Sequence, residues 1–321
     1  MFLIQLLIYL PLQILFLPLA IVGGSYVGYR QLVISKRLGV SQTAIEVING
    51  RWTMHIFGMR KDDATAALAP VLENDSTIGL WICLLPLWLT RKLTGRHFLY
   101  PRKPAPGAET ILDLVPARTL YFDGIINRQL EDAHQFVLMG AGYDTRAYGN
   151  LAREGVAYFE VDQNAVQQHK RAALSRTEIK NDHVRYVTVD FSTDDPFEKL
   201  IAAGYDPTLK TVFLWEGVTL YLSADDVSRT LQAMRAHAAA GSAIVTDIYA
   251  ERFLKFARGK AAEKTLEYTG EGMDFGLVFN ADADAVIRAF AGAESLSVGD
   301  TCFLGRNHKE GPFAVVAELL I

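Results

Sequence analysis

The chain opens on an uninterrupted apolar run. From Phe2 to Tyr29 no residue carries a charge, and most positions are Leu, Ile, Phe or Val. A helix of about 20 residues crosses the roughly 30 Å hydrocarbon layer, so this run is long enough to span it with tilt. Pro11 and Pro18 predict kinks, which membrane helices tolerate. A second apolar run, Ser76 to Thr90, makes about 22 Å of helix and falls short of a full crossing. Trp81 and Trp88 within it suit a bilayer interface. The expectation is an interfacial or re-entrant helix, with a buried core helix as the competing reading. Between the two runs, Gln42–Leu72 reads as one or two amphipathic helices.

The pattern then changes period. Tyr100-Pro-Arg-Lys-Pro-Ala-Pro-Gly107 reads as a linker, and after it short apolar runs alternate with amphipathic ones. Strands are predicted at Phe136–Met139, Ala157–Val161, Val184–Val189, Thr211–Trp215 and Ser242–Ile248. Helices are predicted near Gln163–Arg176, Phe197–Ala203 and Ala224–Ala239, the last capped by Ser223. Alternating strands and helices imply an α/β fold with a parallel sheet and right-handed crossovers. A helix at Ala281–Phe290 and two strand-like runs, Glu294–Asp300 and Pro312–Leu319, predict a hairpin closing that sheet.

Composition narrows the partners. The net charge of -4 gives no electrostatic reason to bind nucleic acid. Cys83 and Cys302 lie far apart, so no disulfide framework or thiolate metal site follows. The seven histidines show no ligand spacing, so no metal is expected, and His169, His183 and His237 read as surface residues. Arg30, the first cation, comes only after the apolar run, so the basic start of a secretory signal is missing. Together with Lys36 and Arg37 it marks a cytosolic flank by the positive-inside rule, and Arg91, Lys92 and Arg96 mark another. The domains read as a single-pass anchor over 1–29, a membrane-proximal helical region over 30–106, and a catalytic domain over 107–321 on the cytoplasmic side. The lipid bilayer is the expected partner; oligomeric state is not legible.

The chemistry concentrates where strands end. Gln135–Met139 runs into Gly140-Ala141-Gly142-Tyr143-Asp144-Thr145-Arg146, and the next strand ends on Asp162. Glycines there let a ligand approach the backbone closely, and the acid is placed for a ribose diol. Thr145 takes the place of the third glycine of the dinucleotide fingerprint, which leaves a pyrophosphate poorly seated. A phosphate-free nucleoside such as S-adenosylmethionine fits better.

These residues also carry a resemblance. Val137-Leu-Met-Gly140-Ala-Gly-Tyr-Asp144-Thr-Arg-Ala-Tyr148 resembles the glycine motif of the leucine carboxyl methyltransferase family of class I S-adenosylmethionine-dependent enzymes. Ala117-Arg118-Thr119, Val189-Asp190-Phe191 and Trp215-Glu216-Gly217-Val218-Thr-Leu-Tyr221-Leu222 agree in order and spacing. The resemblance runs from about Leu112 to the C-terminus and leaves out the membrane segment. It implies a Rossmann-like sheet with a terminal antiparallel hairpin, preceded here by a membrane-associated helical region. It implies cofactor contacts from Gly140, Ala141, Gly142 and Asp144, from Asp162 to the ribose, and from Asp190 to the adenine amino group. Phe191 would cover the adenine face, and Glu216 would hold the cofactor's α-amino group. Arg118 would reach the methionyl carboxylate and the acceptor's carboxylate, and Tyr221 the acceptor. The expected activity is O-methylation of a carboxylate on an apolar or membrane-resident molecule. A hydroxyl or thiol acceptor, a dinucleotide-dependent oxidoreductase and a non-catalytic anchored scaffold are the alternatives. Acceptor contacts are expected in Gln42–Pro106 and Tyr249–Phe279.

Overall fold

A computed structural model describes residues 2–149, 151–190, 193–257, 273–279 and 282–321. They form two compact units. One comprises Met1–Lys103 with Gly142–Asn150 and Ala165–Asn181; the other comprises Pro104–Ala141, Leu151–Asn164 and Asp182–Ile321. The chain passes from the first to the second inside the proline-rich linker. Two later pieces, beginning at Gly142 and at Ala165, belong to the first unit and not to the one that holds the sheet.

The second unit is built on seven strands. These are β1 (Gln135–Met139), β2 (Ala157–Asp162), β3 (Val184–Thr188), β4 (Thr211–Trp215), β5 (Ala243–Tyr249), β6 (Ser297–Leu304) and β7 (Ala314–Leu320). Their order is β3-β2-β1-β4-β5-β7-β6. β1 to β5 pair in parallel, while β7 lies antiparallel between β5 and β6. The α/β sheet with its terminal hairpin is therefore as the alternation predicts. The strand order reverses at β1, between β2 and β4, so the ligand crevice of an open α/β sheet opens at the carboxyl ends of β1 and β4.

The central strands β1, β4 and β5 are buried at every position because both faces of the sheet are covered there. Val137 and Met139 join a core with Phe213, Trp215, Leu231, Met234 and Ile287, the last three from the Ala224–Ala236 and Ala283–Ala293 helices. The Leu114–Gln129 helix buries Phe122, Ile125 and Ile126. Ser223 caps Ala224–Ala236 as expected, accepting from the Asp226 N–H at 3.2 Å. His237 departs from its surface reading, since its ring stacks on Phe197 with centroids 4.7 Å apart. Beyond β5, Leu277 bridges to Ala250, and Phe275 and Phe279 enter the core. That part of the expected acceptor segment is occupied with packing.

In the first unit the Phe2–Tyr29 helix continues through a π-helical turn, Arg30–Ile34, into Ser35–Leu38. It is the one helix among the described residues long and apolar enough to cross a bilayer. Gln42–Ile56 and Asp63–Leu68 follow, then Thr77–Thr94, whose N-terminus Ser76 caps by accepting from the Gly79 N–H at 3.1 Å.

Candidate active site

Six of the proposed site residues meet at the carboxyl edge of the sheet in the second unit. Gly140 follows β1, Asp162 ends β2, Asp190 lies just beyond β3, and Glu216 follows β4. Tyr221 ends a 3-10 turn, Thr219–Tyr221, and Arg118 lies on the Leu114–Gln129 helix. Gly140 has φ +74°, a left-handed conformation that side chains disfavour. A Cβ there would also meet Val218 Cγ2 at 2.7 Å. The Gly140 and Ala141 N–H groups donate to the Val161 carbonyl at 2.9 and 3.1 Å, tying the turn to the end of β2. Asp162 is largely buried, and its Oδ1 accepts from the Gln163 N–H at 2.7 Å. Asp190 is exposed, and its backbone N–H donates to Asp194 Oδ2 at 2.7 Å. Phe191 lies outside the described residues.

Arg118 is the electrostatic centre of this edge. Its Nη1 donates to Asp247 Oδ2 at 2.8 Å and to the Tyr249 hydroxyl, and Nη2 lies 3.3 Å from Glu216 Oε1. Asp247 is shut off from solvent inside β5. Its Oδ1 accepts from the Gly217 N–H at 2.8 Å and its Oδ2 from the Tyr249 hydroxyl at 2.8 Å. Burial opposes the Arg118 charge, yet Tyr249, Asp247 and Glu216 together hold the guanidinium protonated well above its ordinary range. Burial pushes Asp247 up, against the pull of Arg118 and the Gly217 N–H. Burial also drives the Tyr249 hydroxyl far above the usual phenol range. Arg118 Nε is buried without a hydrogen-bond partner among the described residues.

Asp247 and Tyr249 are absent from the sequence reading. The signal was there: Ala243-Ile-Val-Thr-Asp-Ile-Tyr249 puts a carboxylate in an apolar strand, and a buried charge requires a partner.

Gly142 and Asp144 belong to the first unit. Gly142 is also left-handed, at φ +48°. Asp144 Oδ2 accepts from Arg51 Nη1 at 2.8 Å and Arg146 Nη1 at 2.5 Å, and Oδ1 takes the Arg146 N–H at 2.7 Å. Lys170 Nζ donates to the Asp144 carbonyl at 2.7 Å. Burial opposes the charge, but Arg146, Arg51 and that N–H hold the carboxyl far below the usual carboxylate range. Thr145, standing where a dinucleotide site has glycine, pairs its hydroxyl with Thr65 at 2.7 Å. The Asp-Thr-Arg tail of the motif is thus the keystone of this unit. Arg51 and Lys170 were missed because nothing in their local sequence marks a lone cation as buried. His169 is likewise not a surface residue. Burial pulls its imidazole down, and its Nδ1 hydrogen-bonds the Tyr143 hydroxyl at 2.8 Å.

Part of the chain is similar to known proteins. Residues 87–235 match the family model described as leucine carboxyl methyltransferase. Two Mycolicibacterium smegmatis proteins, both provisionally named S-adenosyl-L-methionine-dependent methyltransferases, are similar. One is 32% identical over 167 residues, covering 51% of this chain and 56% of the relative. The other is 28% identical over 229 residues, covering 70% of each. The chain thus spans little more than half the length of the first relative. Among solved structures, a provisionally named methyltransferase from Thermobifida fusca aligns at 18% identity with a TM-score of 0.48, over 79% of this chain and 93% of that one. The glycine turn, its Asp-Thr-Arg tail and the strand-end acids Asp162, Asp190 and Glu216 all fall within residues 87–235, the part of this chain that matches the leucine carboxyl methyltransferase family, and the apolar N-terminal helix lies outside it.

Proposed function

We propose that this chain transfers a methyl group from S-adenosylmethionine to a carboxylate of an apolar, membrane-resident molecule. Arg118 carries the reading. Its two terminal nitrogens are fixed by Asp247, Tyr249 and Glu216, and its Nε is buried without a partner among the described residues. A buried, charged, partnerless donor calls for an explanation, and an anionic ligand group supplies one. The other strand-end residues fit the rest of the cofactor. Gly140 leaves room for close backbone approach, Asp162 suits the ribose diol, Asp190 suits the adenine amino group, and Glu216 suits the α-amino group. Asp144, bound by Arg51 and Arg146, braces the start of its own segment.

The bound cofactor supplies an electrophilic methyl group on a positively charged sulfur. The chain's own contribution is alignment. Arg118 fixes carboxylate geometry through a planar fork that lysine lacks, and Tyr221 orients the acceptor. Excluding water raises an ion-paired ground state relative to a charge-neutralised transition state. A carboxylate is already ionised at neutral pH and needs no general base. The Phe2–Tyr29 helix holds the enzyme at a membrane, where an apolar acceptor partitions, on the cytosolic face where the donor is made.

The test is incubation of the full chain with methyl-labelled donor and a bacterial lipid extract. The expected product is a methyl ester that releases methanol in mild alkali. Tyr221→Phe should cost about tenfold in turnover, roughly 1.4 kcal/mol, and leave S-adenosylhomocysteine affinity unchanged. An alkali-stable product would move the acceptor to a hydroxyl or thiol. Binding of NAD in place of S-adenosylhomocysteine would point to the oxidoreductase, and an absence of turnover on any lipid fraction to the scaffold.

A further inference from the structure

The Phe2–Tyr29 helix is not solitary. It runs antiparallel to Thr77–Thr94 along the whole of that shorter helix. At one end Gln5 Nε2 donates to Thr94 Oγ1 and to the Arg96 and His97 carbonyls, each at 3.3 Å. The rings of Phe2 and Tyr9 pack on Phe98 at 5.3 and 5.5 Å. In the middle, Cys83 Sγ donates to the Ala20 carbonyl at 3.4 Å. At the other end the backbones nearly touch: a Cβ on Gly79 would lie 2.9 Å from the Gly23 carbonyl and 2.7 Å from Val27 Cγ2.

Thr77–Thr94 is in turn fastened to the polar body of its unit at both ends. Trp81 packs edge-on against Trp52 at 5.7 Å, and Arg91 Nη2 would lie 3.0 Å from a Cβ on Gly58. Trp52 shares its helix with Arg51, the partner of Asp144.

This arrangement is incompatible with a crossing. If Phe2–Tyr29 spanned a bilayer, its antiparallel companion would span too and would deliver Gly95–Lys103 to the far side. Residues 142–150 would remain on the near side, bound to Arg51, to Thr65 and, through Tyr143, to Asn74 at 3.4 Å. The chain from Lys103 to Gly142 would have to recross, and among the described residues it has no helix long and apolar enough to do so. Extended polar backbone cannot take its place in hydrocarbon.

We propose that the paired helices lie along one leaflet, docking the enzyme on a bilayer with anionic headgroups without crossing it. This revises the single-pass reading and rests on the membrane attachment proposed above. Ile14, Leu15 and Val22 are about 70% exposed and face outward from the pair, an apolar surface that water would not favour. The helix is apolar all round, so it settles among the acyl chains below headgroup level. Exposed cations stand at both ends of the pair, Lys36 and Arg37 at one and Lys92 and Arg96 at the other. A crossing helix wants them on one side; a helix lying flat on an anionic surface wants them at both ends.

The experiment uses the full chain with Cys83→Ala and Cys302→Ala, carrying one new cysteine at either end of the pair, Arg96→Cys or Lys36→Cys. It is synthesised in the presence of sealed phosphatidylethanolamine–phosphatidylglycerol vesicles. Retained S-adenosylhomocysteine binding confirms folding. A membrane-impermeant maleimide added outside should label both positions, each within twofold of its value after detergent. Protection of either position until detergent is added would establish a crossing, overturning the flat placement while leaving membrane attachment intact. Failure to float with the vesicles would sink the attachment itself. As a second readout, Gly24→Cys, whose Cβ would lie 3.7 Å from Cys83 Sγ, should cross-link to native Cys83 on oxidation of the vesicle-bound protein in a Cys302→Ala background. No cross-link would remove the pairing on which the placement depends.

Discussion

Arg118 Nη1 sits 2.8 Å from Asp247 Oδ2, and solvent reaches neither side chain to any useful extent. With Glu216 on the other nitrogen, one cation stands between two carboxylates. Asp247 acts here as a positioning group. It fixes the Gly217 turn and the Tyr249 hydroxyl as well as the guanidinium, and so sets where Arg118 and Glu216 present themselves.

Removing that charge should therefore matter twice. Asp247→Asn breaks a buried ion pair from one side, which typically destabilises by about 3–5 kcal/mol. It should also weaken S-adenosylhomocysteine binding at least tenfold, because Glu216 becomes the only anion holding Arg118. Urea unfolding reads the first effect and calorimetry the second. A variant with normal stability and normal affinity would show that Arg118 is oriented by something else.

The glycine after β1 gives a test of close packing. Gly140→Ala imposes two penalties, a left-handed φ of +74° and a Cβ 2.7 Å from Val218 Cγ2. Backbone strain of this kind costs on the order of 1–3 kcal/mol. Shaving the neighbour with Val218→Ala relieves the contact and leaves the strain. The double variant should accordingly be more stable than the sum of the two singles by at least ~0.5 kcal/mol, the usual threshold for direct coupling. Strict additivity in urea unfolding would mean that Val218 moves aside freely, and that conformation alone demands glycine.

What the sequence made legible follows from where its signals are local. Hydrophobic period located every strand from β1 to β5 to within about two residues. The acids Asp162, Asp190 and Glu216 stood out because they interrupt or end apolar runs. Partnerships were invisible. Nothing near Arg51 says that it reaches Asp144, because that contact spans most of a hundred positions and depends on how helices pack. The same holds for Gly23 and Gly79, two ordinary glycines in apolar runs until the helices are laid side by side. The single-pass reading rests on the length of one uncharged run and the cations that follow it, neither of which carries information on which helix ends meet.

The last prediction concerns Asp75, buried just before the Thr77–Thr94 helix. Its Oδ1 accepts from the Ser76 N–H at 2.6 Å, and the Asn49 amide, turned with nitrogen inward, donates to both oxygens at 2.8 and 2.9 Å. Burial nevertheless outweighs these donors and the nearby Arg30, and pushes the carboxyl up to about 7. An exposed aspartate titrates near 3.9. Between those two values the folded chain therefore holds a proton that the unfolded chain has lost. Stability attributable to Asp75 is full below about pH 4, falls as pH rises toward 7, and is flat above. Over pH 5 to 8 that amounts to about 2–3 kcal/mol, an order-of-magnitude figure from 1.36 kcal/mol per unit. Asp75→Asn replaces the carboxyl with a neutral group of the same shape, and the Asn49 amide can turn to meet it. The variant should match the parent near pH 4 and exceed it at pH 8, as read by urea unfolding of the detergent-solubilised full chain at both values. Parallel pH profiles for parent and variant would mean that Asp75 stays ionised when folded, held by Asn49, Ser76 and Arg30 more strongly than burial opposes it.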